Sequence, residues 1–173
     1  MERHNIVIID PVERYRVALT KQLESNGQNG IAFKDVKSFV DAESTGGLGR
    51  LMEGSSKTVF ILEIGLVEQS QEGSDDPSRW PTPGVVPPEQ KPFYVDDELG
   101  LSLAKRVRAN EFWTFLPNTP IIFCSALVNQ RIMAEVKELD VSAFIKKPFD
   151  IEWLLEAIEE MPAWTHIGVE TFA

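Results

Sequence analysis

The chain is short of several things, and each shortage excludes something. It has a single cysteine, Cys124, so no intrachain disulfide and no cysteine-based zinc cluster can form. No apolar run approaches the roughly 20 residues needed to span a bilayer. The first residues, Met1-Glu2-Arg3-His4-Asn5, lead straight into a short apolar run with no signal-peptide pattern, which predicts a cytoplasmic protein. Positive charge is scarce: 17 Lys and Arg against 27 Asp and Glu give a net charge of -10. That balance argues against a phosphate-backbone partner, so no direct contact with nucleic acid is expected. The only glycine-rich stretch, Gly46-Gly47-Leu48-Gly49-Arg50, lacks the Lys-Ser/Thr pair of a nucleotide loop and does not follow a strand directly.

What is present is a set of short buried strands. Thr58 to Leu66 is apolar on both faces, interrupted by the carboxylate of Glu63 and then by Gly65. Such a run suits a central strand of a parallel sheet covered on both sides by helices. Ile6-Val7-Ile8-Ile9 is a second such run, and it stops at Asp10-Pro11-Val12-Glu13. Asp as N-cap, Pro at the first helical position and Glu three residues after the cap predict a helix starting there. Tyr15, Leu19 and Leu23 recur as its inward stripe, and Ser25-Asn26-Gly27 closes it. A mixed strand over 31–36, nearer an edge, comes next. The helix after it, over 39–52, is expected to be short or broken because Gly46, Gly47 and Gly49 interrupt it.

Residues 67–97 change character. Pro77, Pro81, Pro83, Pro87, Pro88 and Pro92 exclude a helix or a central strand, and a long loop or extended arm is expected. Trp80, Phe93 and Tyr94 are costly to leave in water. They either pin this insertion to the body or form a partner surface, and the sequence does not favour one over the other.

Helical periodicity resumes at Leu99, Leu103, Ala104 and Val107, with Lys105, Arg106 and Arg108 read as a solvated basic face. Pro120 to Ala126 is another buried strand, and Cys124 within it reads as a small buried hydrophobe. Ile132, Met133, Val136 and Leu139 mark a helix. Ser142 to Lys146 is a last strand, and Asp150 caps a final helix with Ile151, Leu154, Leu155 and Ile158 inward. Five strands alternating with helices predict an α/β fold, a five-stranded parallel doubly wound sheet. One domain over 1–161, with 67–97 inserted, and a tail over 162–173 follow from this order.

The strand ends gather Asp10, Glu63, Ser125 and Lys147 on one edge, where ligands and chemistry collect in such sheets. With the motifs Ile6-Val7-Ile8-Ile9-Asp10, Val59-Phe60-Ile61-Leu62-Glu63-Ile64, Pro120 to Ala126 and Phe144-Ile145-Lys146-Lys147-Pro148-Phe149, the chain resembles the receiver domain of two-component response regulators. The resemblance covers 5–160 apart from the insertion. It implies a flavodoxin-like sheet of order 2-1-3-4-5. It implies an aspartate after strand three that accepts phosphate from a phosphohistidine, two acidic residues after strand one that help hold magnesium, and a Ser/Thr and a Lys that bind phosphoryl oxygens. An aromatic on strand five reports the state. Ser125, Lys147 and Phe144 match their roles.

Two positions depart from the family. Glu63 stands at the phosphoacceptor, and Pro11 stands at the second acidic position, leaving Asp10 alone. Proline brings no side-chain oxygen to a hard cation. The expectation is therefore a degenerate phosphoacceptor pocket of Glu63, Asp10, Ser125, Lys147 and Phe144, with no catalytic group, no cofactor, and magnesium binding weakened or lost. A permanent Glu63–Lys147 ion pair is the preferred reading of the pocket. Residual magnesium-dependent phosphorylation is the alternative. A flavodoxin-like cofactor enzyme is disfavoured, since Asp10-Pro11 occupies the place where glycines would be needed.

The expected function is an atypical receiver-like signalling domain, not an enzyme, acting by protein–protein interaction independently of phosphorylation. The partners implied are a histidine kinase or a downstream effector, or a second copy of the chain. The residues after 161 are too few for a DNA-binding or catalytic output domain, which points to the same mode of output.

Overall fold

The computed structural model describes residues 3–52, 57–67, 95–96, 99–115, 117–126, 130–141 and 143–160. Strand β1 (Asn5–Ile9) leads into α1 (Glu13–Ser25), then β2 (Asn29–Phe33). Helix α2 (Val36–Ser44) and the short α3 (Gly47–Leu51) follow, then β3 (Thr58–Leu62). A two-residue strand β4 (Leu66–Val67) pairs antiparallel with β5 (Val95–Asp96). The chain continues through α4 (Leu99–Arg108), β6 (Ile121–Ser125), α5 (Gln130–Glu138), β7 (Ala143–Lys146) and α6 (Ile151–Glu160).

The main sheet has the order β2-β1-β3-β6-β7, and its four pairings are all parallel. Counting only its own strands, this is the expected order 2-1-3-4-5. Alternate residues of each strand point to opposite faces, so one strand feeds two cores. Val7, Ile9, Phe60, Leu62 and Phe123 pack with α2, α3, α4 and α5. Ile6, Ile8, Val59, Ile61 and Cys124 pack with Leu23 of α1 and with Leu154, Leu155 and Ile158 of α6. The first core includes an aromatic cluster around Phe39, whose ring centroid lies 5.6 Å from that of Phe60 and 5.3 Å from that of Phe112.

Several expectations move. Strand β2 begins two residues earlier than read and lies at the sheet edge, as expected. Asp35, read as part of that strand, instead caps α2 by accepting the Ser38 N–H at 2.7 Å. The broken second helix is found, divided where Gly46 takes φ 68°. Strand β3 ends at Leu62, because the chain must turn at Glu63 to reach β4.

Asp10 is not the N-cap of α1. Val12 holds that position in an extended conformation, and the helix starts at Glu13. The Asp10 carboxylate accepts the Val12 N–H at 2.7 Å and turns inward to the sheet edge. Tyr15 leaves the apolar stripe and is 38% exposed, while Leu23 is fully buried.

Arg108 is not part of a solvated face. Its guanidinium donates to the carbonyls of Pro117, Thr119, Leu139 and Asp140 at 2.8–3.0 Å. Burial lowers its pKa, against an opposing pull from Asp140. Lys105 and Arg106 do sit outside, paired with Glu135 and Glu111. Most of the 67–97 insertion and all of the 162–173 tail lie outside the described residues, including Trp80, Phe93 and Tyr94. Among the described residues no helix is long and apolar enough to cross a membrane.

Candidate functional site

Three strand ends build the site. The parallel register sets Ile9 beside Leu62 and Leu62 beside Phe123, so the residues that follow these strands emerge on one edge. Asp10 follows β1 and Glu63 follows β3. Lys147 follows β7, where its N–H donates to the Ser125 carbonyl at 2.9 Å. The Lys147–Pro148 peptide is cis.

The Lys147 ammonium lies between the two carboxylates. It donates to Glu63 Oε2 at 2.8 Å and to Asp10 Oδ2. The second oxygen of each carboxylate is held by backbone: Glu63 Oε1 by the Ile64 N–H at 2.9 Å, Asp10 Oδ1 by the Val12 N–H. Each of the three side chains is at most 12% exposed. Burial, the largest single influence, would lower the Lys147 pKa. The Asp10 and Glu63 carboxylates together outweigh it and hold the ammonium above its ordinary value of 10.5. The Lys147 ammonium is therefore charged at every physiological pH.

Tyr15 completes the cluster from α1. Its ring centroid is 4.6 Å from Lys147 Nζ, a cation–π contact. Arg16 ties the same helix to the site by donating to the Asp10 carbonyl at 2.7 Å. Sequence reading assigned Tyr15 to the core because it falls at i, i+4 spacing with Leu19. The available signal was its position in the first helical turn after Asp10, which aims the ring back toward the strand ends.

Asp10, Glu63 and Lys147 thus come together directly. Ser125 is fully buried at the end of β6 and adjoins the cluster through its carbonyl. Phe144 is half-buried in β7 and packs against the core on the α2–α5 face, apart from the ion pairs. Cys124 is buried, and burial pushes its thiol pKa far above the usual range. This is an inert thiol, as its apolar neighbourhood predicts.

Beside the cluster, between α1 and the sheet, is a cavity of about 200 Å³. Ile8, Ile61, Leu19, Cys124 and Phe149 line its apolar part. Asp10, Glu63, Lys147 and Tyr15 line its polar end. Among the described residues no group of three or more His, Cys, Asp or Glu is placed to hold a metal ion.

No family model matches the sequence. Protein CcdB of Bacillus subtilis (strain 168) is 32% identical over 72 residues, which make up 41% of this chain and 60% of that protein, so less than two thirds of the relative is spanned. Solved structures match a larger share of this chain. A CheY-like response regulator receiver domain protein from Methanospirillum hungatei JF-1 matches with a TM-score of 0.59 at 15% identity, covering 91% of both chains. A response regulator receiver protein from Pseudoalteromonas atlantica matches at 0.58 and 15% identity, covering 90% of this chain and 94% of that one. The response regulator DrrB of Thermotoga maritima, an OmpR/PhoB homologue, matches at 0.56 and 14% identity, covering 91% of this chain but only 51% of its own. The chain has the receiver-domain fold of these proteins.

Proposed function

We propose that the chain is a receiver-like signalling domain that works without phosphorylation of its own pocket and acts by binding another protein. One observation carries this reading: the Lys147 ammonium is already shared by Asp10 and Glu63. To take a phosphoryl oxygen, Lys147 would have to give up at least one of these partners. Here two buried carboxylates neutralise it, and breaking such pairs in a low-dielectric site is costly.

The residues also fit magnesium poorly. The ion asks for near-octahedral oxygen ligands. Pro11 offers no side-chain oxygen, and each carboxylate oxygen of Asp10 and Glu63 accepts a hydrogen bond from the protein. Phosphoryl transfer depends on that ion and on close positioning of the nucleophile, so we assign no catalytic turnover and no cofactor to the pocket. Glu63 carries about one negative charge where a phosphoryl group would bring up to about two.

The partner classes are a histidine kinase, a downstream effector or a second copy of the chain. The helices at the end of the domain offer a surface for this, with Trp153 of α6 67% exposed. The deciding experiment incubates the protein with acetyl phosphate and magnesium and reads its intact mass. No adduct is expected. A stoichiometric, hydroxylamine-labile gain of one phosphoryl group would overturn the proposal in favour of a working phosphoacceptor.

A further inference from the structure

The cavity beside the ion pairs has a chemistry of its own, separate from any phosphoryl chemistry. Its walls are apolar, from Ile8, Ile61, Leu19, Cys124 and Phe149. Its polar end presents two carboxylates to one ammonium, which leaves one negative charge uncompensated in a nearly buried position. Arg16 touches Asp10 only at its carbonyl and does not line the cavity.

We propose that this cavity binds a small organic cation with an apolar body, of the arylalkylamine class. The size sets an upper bound: an apolar cavity of roughly 150 Å³ holds benzene, and this one is about 200 Å³. A single ring with a short amine chain fits, and a drug-sized molecule does not. Charge sets the sign, because an anion would meet a net negative end while an ammonium would neutralise it.

Acceptor capacity remains even with Lys147 in place. Each carboxylate oxygen has two lone-pair directions and is shown with one donor. A primary ammonium has three N–H donors, which these four oxygens together have the spare lone pairs to accept, whereas a divalent ion requires a full oxygen shell. The Tyr15 ring is already met by two cations, the Lys147 ammonium at 4.6 Å and the Arg14 guanidinium at 5.4 Å, so the carboxylates and not the ring supply the attraction for a ligand ammonium. The inference does not depend on the signalling reading and would hold for a domain with any output.

The test titrates the full chain with 2-phenylethylamine, 2-phenylethanol and phenylacetate, followed by backbone amide NMR and calorimetry. The amine should bind at least about tenfold more tightly than the alcohol or the acid. The largest shifts should fall at Ala18, Leu19 and Cys124. Ala18 is exposed on α1 at the cavity mouth, so Ala18→Phe should obstruct entry and weaken the amine by at least about tenfold. Glu63→Gln should weaken the amine while leaving the alcohol unchanged. Equal or tighter binding of phenylacetate or the alcohol, shifts centred elsewhere, or no binding of the amine at millimolar concentrations would each overturn the proposal. Should Ala18→Phe not fold, the ranking of the three probes on the unsubstituted chain still decides.

Discussion

Gly100 of α4 lies directly against the backbone of Glu63. A Cβ at Gly100 would sit 2.3 Å from the Glu63 carbonyl oxygen and 2.8 Å from Ile64 Cα, and the Gly100 N–H donates to the Ile64 carbonyl at 3.0 Å. The first turn of α4 is thereby locked onto the turn that carries the pocket glutamate. Both obstructing groups are main chain, so a side chain there has to move backbone. Gly100→Ala should cost about 1–3 kcal/mol through overpacking, despite alanine being the better helix former by about 1 kcal/mol. The urea midpoint reads this, and an unchanged or raised midpoint would show that the contact relaxes freely.

Lys147 stabilises the site only while charged. Its folded pKa is raised above 10.5, so its contribution is fully present below that value and is lost as pH rises through the folded pKa. Lys147→Met leaves two buried carboxylates facing each other and should cost about 3–5 kcal/mol at neutral pH. The variant should also lose the part of the alkaline destabilisation that belongs to this residue. Urea unfolding at neutral pH and above pH 10.5, with the unsubstituted chain alongside, measures both.

Arg108 gathers four carbonyls from two loops, those before β6 and before β7. Hydrogen bonds from a charged donor are worth about 1.5–3 kcal/mol when removed singly, and these are partly exposed and not additive. Arg108→Ala should therefore cost about 2–3 kcal/mol in total. Arg108→Lys should recover little, because a single ammonium cannot reproduce the planar fork. Recovery of most of the stability by lysine would mean that charge, not geometry, does the work.

Glu43 fixes the loop after α4. Its Oε1 accepts the Trp113 N–H at 2.6 Å, the Thr114 N–H at 3.1 Å and the Thr114 hydroxyl at 3.3 Å. The residue is buried, while Trp113 stands 98% exposed between the buried Phe112 and Phe115. Glu43→Ala should release that loop at a cost of about 1–3 kcal/mol, with faster amide exchange at Trp113 and Thr114. Glu43→Gln, which keeps an accepting oxygen, should fall between the two.

The βα alternation was readable because its signals are local and strong. Continuous β-branched runs such as Ile6 to Ile9 have no other good use, and strand order then places Asp10, Glu63 and Lys147 on one edge. What escaped the sequence was the direction of individual side chains. Tyr15 fits a helical stripe as well as Leu19 does, and only its burial tells them apart. Arg108 looks like its neighbours Lys105 and Arg106 until the loops that supply its carbonyls are folded against it. Asp10 carries every local sign of an N-cap, yet its carboxylate is drawn inward by Lys147, which lies 137 residues away in sequence. Long-range charge overrode a local preference worth about 1 kcal/mol.

The β4–β5 pairing, Leu66 with Asp96 and Val67 with Val95, gives the fold a neck. The chain departs from the sheet and returns to it at adjacent points, just before the Gly100 contact that braces Glu63. Among the described residues, the five-stranded sheet is built entirely from strands outside the segment between β4 and β5. The pairing brings the two ends of the insertion together, so the number of residues between them does not set the register of the main sheet. A lineage could exchange that segment for another with the ion pairs of the pocket left in place.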